Sequence, residues 1–299
     1  MQTKGQIREL LASAGVSCNK RFGQNFLVDL NLMRLLIDSA GVGADDVVLE
    51  VGCGTGSLTQ GLAERAGHVV AVELDVSLAS IAEGQLAGKD NVEIIKADIL
   101  TDKHTINPAV AERLLSTAEK FAGRVLLVAN LPYSAASPVM LNLVTGETGI
   151  DGMYVTVQKE VAERMTAQAG SHHYGTLSIL LAVTGDTRII RTLKPSVFWP
   201  EPQVDSAMVC FVRSAEKVRK IRNMELFGEL VGLFMQHRRK MLKGCVRFAS
   251  GKLSEIANWA EIFDKTQIDG RSRPEQISPG DYITIANLCH GQLGKACEG

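Results

Sequence analysis

Short apolar runs that alternate with stretches of helical periodicity limit the fold of this chain more than any other feature. Most of the runs are nearly continuous in apolar residues rather than alternating, as strands covered on both faces are. The chain is therefore predicted to be an α/β protein with a mainly parallel sheet and helices on both sides. The predicted strands are 47–52, 68–74, 92–98, 124–130, 153–158, 187–193 and 206–214, and the predicted helices among them are 57–66, 76–86, 137–145 and 159–168.

The strand pattern ends near residue 214. Beyond it, the segments 224–250, 253–263 and 278–293 have helical periodicity or begin with residues that cap helices. A chain of 299 residues is long enough for two domains. We expect an α/β domain at 1–213, which includes a helical segment at its N-terminus, and a small helical domain at 214–299.

The composition excludes several classes of protein. No stretch of eighteen apolar residues predicts a membrane span, and the N-terminal segment MQTKGQIRELLASAG lacks the apolar centre of a signal peptide. The six cysteines are scattered and form no C-x-x-C pair, which argues against a structural zinc site and against a disulfide framework. We expect a cytoplasmic protein without a metal or a membrane partner.

A glycine loop joins the first predicted strand to the next helix in VVLEVGCGTGSLT. Gly52, Gly54 and Gly56 permit a tight turn and the close approach of a ligand to the backbone. A dinucleotide fingerprint would need glycine at position 57, where Ser57 stands. The G-x-G-x-G spacing is instead typical of loops that bind S-adenosylmethionine (SAM). A purely structural glycine turn is the alternative.

Acidic residues close the second and third predicted strands. Glu73 lies 21 residues after Gly52, where a carboxylate can accept hydrogen bonds from both ribose hydroxyls. Asp98 is placed to accept a hydrogen bond from an adenine amino group. An ordinary solvated carboxylate at 73 and a helix cap or turn at 98 are the alternatives. With the glycines, these residues favour a nucleoside pocket at the carboxyl edge of the sheet.

The fourth predicted strand ends in Asn130-Leu131-Pro132-Tyr133, at the same edge. An aromatic exocyclic amine is a poor nucleophile, and a site can activate it by accepting its two N–H groups at the Asn130 side-chain oxygen and the Leu131 carbonyl. Pro132 would stiffen the loop and Tyr133 would stack on the base. Phe198 is the candidate for the second face of an aromatic clamp. A plain turn and a core phenylalanine are the alternatives.

Basic residues are concentrated between positions 213 and 247. Ten Lys or Arg stand there against three Glu, a local charge of +7, whereas the whole chain carries −1 and the remainder therefore −8. The run predicts either a solvated helix face or a surface that binds phosphate backbones. The candidate RNA-binding residues are Arg238, Arg239, Lys240 and Lys243.

Several segments together resemble the rRNA adenine N6,N6-dimethyltransferases of the KsgA type. The similarity runs from about residue 20 to 245, with a weaker match at RSRPEQIS (271–278). It implies a Rossmann-like class I SAM-dependent methyltransferase fold, adds Gln24, Asn25 and Leu27 to the SAM site, and gives Asn130 a place there too. The matching segments are KRFGQNFLVD, VLEVGCGTGSLT, AVELD, ADIL, NLPY, VQKEVAERMTAQAGSHHYGTLSIL, VFWPEPQVDSAMV and QHRRKMLKG.

The resemblance also implies a reaction and its partner. SAM donates two methyl groups to each of two adjacent adenosines near the 3′ end of small-subunit 16S rRNA, within an assembling 30S particle. We expect a monomer. Two alternatives stay open: a large-subunit 23S rRNA methyltransferase of the antibiotic-resistance type, and a non-catalytic assembly or transcription factor of the same fold. The chain departs from the family at SAASP (134–138), at Cys53 and in the long segment 99–123.

Overall fold

In the computed structural model, which describes residues 1–17, 24–146 and 148–296, the chain forms two compact units. The first comprises residues 1–162 and 188–212, and the second comprises 163–187 and the chain from 213 onward. The boundary predicted near 213 coincides with one crossing between the units. The stretch 163–187 clusters with the second unit because its helix packs against three C-terminal helices. The division into domains 1–213 and 214–299 stays a prediction.

The first unit is built on a seven-stranded sheet of order β4-β3-β2-β7-β8-β11-β9. The strands from β4 to β8 in this order pair in parallel, and β11 runs antiparallel to β8. The α/β class with a mostly parallel sheet is confirmed, and the predicted strands agree with the observed ones within two residues at each end. The strands are β1 (Phe26–Leu27), β2 (Val47–Val51), β3 (His68–Glu73), β4 (Val92–Lys96), β5 (Leu100–Asp102), β6 (Thr105–Ile106), β7 (Val125–Asn130), β8 (Gly152–Gln158), β9 (Gly185–Leu193), β10 (Phe198–Trp199) and β11 (Ser206–Arg213).

Helices follow most of the parallel strands, as the alternating pattern predicts. Every residue of β2 is buried; four of the five are apolar and the fifth is Glu50. From the N-terminus to the helix that follows β8, the helices are α1 (Lys4–Ser13), α2 (Leu30–Ala40), α3 (Ser57–Ala63), α4 (Val76–Gln85), α5 (Pro108–Ala118), α6 (Ala136–Thr145) and α7 (Lys159–Met165).

Helix α2 shows how local sequence sets the bounds of an element. The Asp29 carboxylate accepts the N–H groups of Asn31 and Leu32, which have no partner inside the helix. The helix ends at Gly41, whose φ of 55° lies in the left-handed region that favours glycine. Its buried face packs against β7, which ends at Asn130, and against the adjacent strand β8. The buried residues are Leu32, Met33, Leu36, Ile37 and Ala40.

The long segment 99–123 has a defined structure that the sequence analysis leaves unassigned. Strands β5 and β6 form a short antiparallel hairpin, and α5 follows it. The Asn107 side chain caps this helix by accepting the Ala109 N–H at 3.1 Å, and Pro108 occupies its first turn. The segment packs on β2 and β3 through α5 and therefore belongs to the sheet unit.

The second unit is helical, and aromatic side chains form much of its core. The Phe234 ring lies 6.0 Å from the Tyr282 ring and 6.3 Å from the Trp259 ring. The Tyr282 hydroxyl donates to the Pro274 carbonyl at 2.9 Å, so its polar end is satisfied while the ring is buried. The helices of this unit are α8 (Thr176–Thr184), α9 (Ala215–Val218), α10 (Met224–Gln236), α11 (Leu242–Cys245), α12 (Trp259–Thr266) and α13 (Pro279–Ala296).

Cysteines 53, 210, 245 and 289 are buried free thiols, and Cys18 and Cys297 lie outside the described residues. Within 1–17, 24–146 and 148–296, no helix combines the length and the apolar character that a membrane span needs.

Candidate active site

The carboxyl ends of the parallel strands border one cleft in the first unit, with an empty volume of about 910 Å³. Strand β2 runs into the glycine loop, β3 ends at Glu73, and β7 ends at Asn130. Parallel strands end at the same edge of a sheet, so these residues meet there. The lining residues are Gln24, Asn25, Phe26, Val51, Gly52, Gly54, Val72, Glu73, Leu74, Leu78, Ala97, Asp98, Ile99, Asn130, Leu131, Pro132, Ser134 and Ala135.

The glycine loop has the backbone conformation for which its glycines are needed. Gly52, Gly54 and Gly56 have φ values of 76°, 59° and 79°, in the left-handed region. A Cβ at Gly54 would stand 2.7 Å from the Phe26 ring, and one at Gly52 would stand 3.1 Å from Pro132. The loop therefore brings its backbone close to the segments around residues 26 and 132, and a side chain at either glycine would disturb that packing.

Glu73 is 7% exposed and holds the loop from the end of β3. Its Oε2 accepts the Gly54 N–H at 2.8 Å, and its Oε1 accepts the Asp75 N–H at 3.0 Å. Each carboxylate oxygen has a second lone pair, so both can still accept a hydroxyl donor from a ligand. Burial raises the pKa of the Glu73 carboxyl, and the two backbone N–H groups oppose that rise.

Asp98, Gln24 and Asn25 complete the polar lining on either side of Glu73. The exposed Asp98 carboxylate accepts the Leu100 N–H at 3.0 Å, which fixes the turn after β4. The Gln24 side-chain amide donates to the Asp75 carboxylate at 3.1 Å. The Asn25 carbonyl accepts a hydrogen bond from the side-chain Nδ2 of Asn130, at the end of β7. These contacts orient the segment that precedes β1 along the cleft.

The Asn130 side chain is held at both ends of its amide group. Its Nδ2 donates to the Asn25 carbonyl at 2.7 Å, and its Oδ1 accepts the hydroxyl hydrogen of Thr156 on the neighbouring strand β8. The Leu131 N–H donates to the Thr156 carbonyl at 3.1 Å. A carbonyl cannot donate, so the Asn25 contact determines which end of the Asn130 amide is the nitrogen. An acceptor oxygen is thereby fixed at the strand tip.

The structure brings most of the predicted catalytic and cofactor-binding residues to the cleft. Four of these residues do not belong to its described lining. Gly56 packs against α4, and Leu27 is 5% exposed in the core. The Tyr133 hydroxyl is hydrogen-bonded to the Ser206 hydroxyl at 2.8 Å, and burial raises its pKa. Phe198 pairs with Leu27 between β1 and β10 and is 1% exposed. In this arrangement its ring faces the core, so its role in a clamp stays a prediction.

Two residues of the site escape the sequence analysis. Glu50, in the middle of β2, is 2% exposed and lines a smaller cavity beside Gly52 and Asn130. Burial, together with the nearby Glu73 carboxyl, raises the pKa of Glu50 to about 8. Its position in an apolar run was the available signal. Thr156 is the second, and a threonine in a strand carries no signal at all because threonine is an ordinary strand residue.

The candidate RNA-binding residues lie in the second unit. Arg239, Lys240 and Lys243 are exposed, and the Lys240 ammonium lies 5.4 Å from the centre of the Phe248 ring. Arg238 forms an ion pair of 3.2 Å with Glu275, which reduces its local charge. These residues follow α10. Their exposure is compatible with a solvated basic surface and also with a surface that binds phosphates.

The cleft fits an adenosine-containing amino-acid conjugate such as SAM. A buried carboxylate, an exposed carboxylate and an amide oxygen border an otherwise largely apolar volume, which matches ribose hydroxyls, an adenine amine and an apolar methyl group in chemistry. No three His, Cys, Asp or Glu side chains converge as a metal site in the parts of the chain that the structure describes. The absence of a metal requirement stays a prediction.

A mostly parallel sheet with this glycine loop and this acidic strand end defines a Rossmann-like class I methyltransferase fold. A family model described as ribosomal RNA adenine dimethylase matches residues 15–290. The chain belongs to the ribosomal RNA adenine dimethylase family, as the sequence motifs predict. Relatives named "Ribosomal RNA small subunit methyltransferase A" include that of Geobacillus thermodenitrificans (strain NG80-2), 34% identical over 286 residues and 95% of each chain, and that of Pediococcus pentosaceus, 38% identical over 284 residues, 94% of this chain and 93% of its own.

Solved structures share the fold. A dimethyladenosine transferase from Plasmodium falciparum superposes with a TM-score of 0.71 at 22% identity, over 90% of this chain and 98% of its own. The 23S rRNA methyltransferase ErmE superposes with a TM-score of 0.60 at 21% identity, over 89% of this chain and 99% of its own. At these identities the likeness establishes the architecture alone.

The buried Glu50 predicts a pH dependence of stability. Its pKa rises from an ordinary value of 4.5 to about 8 in the folded protein, so between these values the folded state holds a proton that the unfolded chain releases. Raising the pH from 5 to 8 therefore removes the stability that Glu50 contributes, with a limiting slope of about 1.4 kcal/mol per pH unit. We expect Glu50→Gln to remove this component, measured by urea unfolding at each pH. Glu64→Gln, at an exposed site, is the matched control. A Glu50→Gln difference that is constant with pH would contradict the prediction.

Proposed function

We propose that this protein uses SAM to dimethylate the N6 amines of two adjacent adenosines near the 3′ end of small-subunit 16S rRNA, in an assembling 30S particle. Family membership supports rRNA adenine dimethylation. The names of the sequence relatives favour the small subunit over the large one. The observation that carries the chemistry is the Asn130 amide, held by two hydrogen bonds in the same cleft as Glu73.

SAM would be held by the residues that border the cleft. When bound, its sulfonium would supply an electrophilic methyl group to the adenine nitrogen, with the thioether of S-adenosylhomocysteine as the leaving group and the amine proton released to solvent. Glu73 accepts the ribose hydroxyls through the two lone pairs that its backbone contacts leave open. Asp98 accepts from the adenine amine of SAM. Gln24, Asn25, Leu27, Gly52, Gly54 and Gly56 shape the remaining walls, Leu27 and Gly56 from the core behind them.

The end of β7 would activate the substrate amine. The Asn130 oxygen and the Leu131 carbonyl accept its two N–H groups, which favours a pyramidal nitrogen whose lone pair is directed at the methyl carbon. An amide and a carbonyl supply these acceptors without an added charge in a buried site. Pro132 limits the motion of the loop. Tyr133 stacks on the flipped base, and Phe198 is the candidate for its opposite face.

The exposed basic residues after α10 would bind rRNA phosphates. Arg239, Lys240 and Lys243 offer ammonium or guanidinium groups to solvent, and Arg238 joins them if its ion pair with Glu275 opens. Because the chain as a whole has a charge of −1, this local concentration would have to provide most of the attraction to RNA. The protein would act as a monomer in the cytoplasm, where ribosomes assemble.

The proposal is tested by incubating the protein with methyl-labelled SAM and ribosomal particles that lack the modification, then mapping the modified nucleotides. We expect N6,N6-dimethyladenosine at two adjacent positions near the 3′ end of 16S rRNA. Label confined to 23S rRNA would support the large-subunit alternative and overturn the choice. Undetectable SAM binding by calorimetry, with intact binding to particles, would support a non-catalytic assembly factor.

Asn130→Ala removes the acceptor at the end of β7. We expect the rate of methyl transfer to fall at least about 100-fold, because the loss affects the activated state of the amine. SAM affinity, measured by calorimetry, should fall far less. Asn31→Ala, at an exposed position of α2, is the control and should retain the parent rate. Equal losses of transfer and of SAM affinity in Asn130→Ala would contradict the role in amine activation.

Charge reversal tests the basic surface. Arg239→Glu should weaken binding to small-subunit particles about tenfold and reduce the salt dependence of that binding by about one phosphate contact. SAM affinity should stay unchanged. Lys265→Glu makes the same change in net charge on α12, outside the basic run, and serves as the control. Equal effects of the two substitutions on particle binding would mean that Arg239 acts through net charge alone.

A further inference from the structure

We propose that Thr156 is a positioning residue for methyl transfer, which acts by fixing the plane of the Asn130 amide. This inference rests on the proposed function, because it assigns the Asn130 oxygen to the substrate amine. Thr156 is completely buried on β8 and does not belong to the described lining of the cleft. It therefore acts through Asn130 rather than on the substrate.

The register of β7 and β8, which pair in parallel, places Asn130 beside Thr156. The Thr156 hydroxyl donates to Asn130 Oδ1, and the Thr156 carbonyl accepts the Leu131 N–H at 3.1 Å. One residue thus contacts the amide oxygen that accepts the amine and the backbone just before the second acceptor, the Leu131 carbonyl.

Two hydrogen bonds restrict the rotation of the Asn130 side-chain amide. The terminal torsion of an asparagine is broadly distributed, so a single hydrogen bond would leave the plane of the amide loosely defined. The contact of 2.7 Å between Asn130 Nδ2 and the Asn25 carbonyl provides one restraint, and the Thr156 hydroxyl provides the second at the other end of the group. Threonine is branched at Cβ, so its own hydroxyl direction is restricted.

The Asn130 Oδ1 atom has two lone pairs, and the Thr156 hydroxyl uses one of them. One lone pair is left for an N–H of the substrate amine, in a direction that the two restraints determine. Since the amine nitrogen must be aligned with the methyl carbon, small errors in this direction reduce the rate steeply.

Thr156→Val tests the inference because it retains the branched shape and the backbone contacts and removes the hydroxyl. We expect the single-turnover rate of methyl transfer to fall about 10- to 100-fold. The dissociation constant of SAM, the KM for particles and the unfolding midpoint should change little. Thr156→Ser restores the hydroxyl and should recover the rate to within a few-fold of the parent. Thr117→Val removes another buried threonine hydroxyl, on α5, and should keep the parent rate.

The outcomes separate this inference from the proposed function. A parent protein that transfers no methyl to 16S rRNA overturns both. An active parent with a parent-like Thr156→Val overturns only the role of Thr156, as does a loss of SAM affinity equal to the loss of rate. If Thr156→Val fails to fold, Thr156→Ser and Thr156→Cys repeat the comparison, because a thiol is the weaker donor. A cysteine variant as fast as the serine variant then overturns the inference.

Discussion

The parallel pairing of β3, β2, β7 and β8 is the constraint on which the site depends. Residue-by-residue register in these pairs brings four strand ends to one edge, each with a different chemical group. β2 contributes the glycine loop, β3 the Glu73 carboxylate, β7 the Asn130 amide and β8 the Thr156 hydroxyl. A shift of one residue in the β7–β8 pairing would turn Thr156 to the other face of the sheet and leave the Asn130 oxygen without its donor.

Burial sets the electrostatics at this edge. Glu73 and Glu50 are both almost fully buried, and burial raises both pKa values. The backbone N–H groups of Gly54 and Asp75 oppose part of this rise at Glu73. Within the described residues, the Glu50 Oε2 atom has no hydrogen-bond partner, and at neutral pH this acid is largely protonated. Burial thus acts on both acids, and backbone N–H groups oppose its effect on the pKa only at Glu73.

The local motifs that predict a nucleoside pocket border one cleft, and the roles of their residues stay predictions. The G-x-G-x-G spacing, the acidic strand ends and Asn130-Leu131-Pro132 all border it, because each follows a strand whose apolar run is easily recognised. Phe198 shows the limit of such reasoning: its motif is informative, yet its ring lies in the core beside Leu27. The segment 163–187 likewise continues the α/β pattern in sequence but packs with the C-terminal helices, since helix partners are chosen by apolar faces across long separations.

The sequence by itself determined the class of fold, the family and the sheet edge at which the candidate site lies, because periodicity and short motifs are local properties. Only the tertiary structure decided how the Asn130 amide is oriented, because its two partners, Asn25 and Thr156, stand 105 and 26 residues away. It also decided the protonation of Glu50, since desolvation depends on what packs around a side chain. Hydrogen-bond geometry and burial arise from long-range packing, and neither is encoded in the spacing of neighbouring residues.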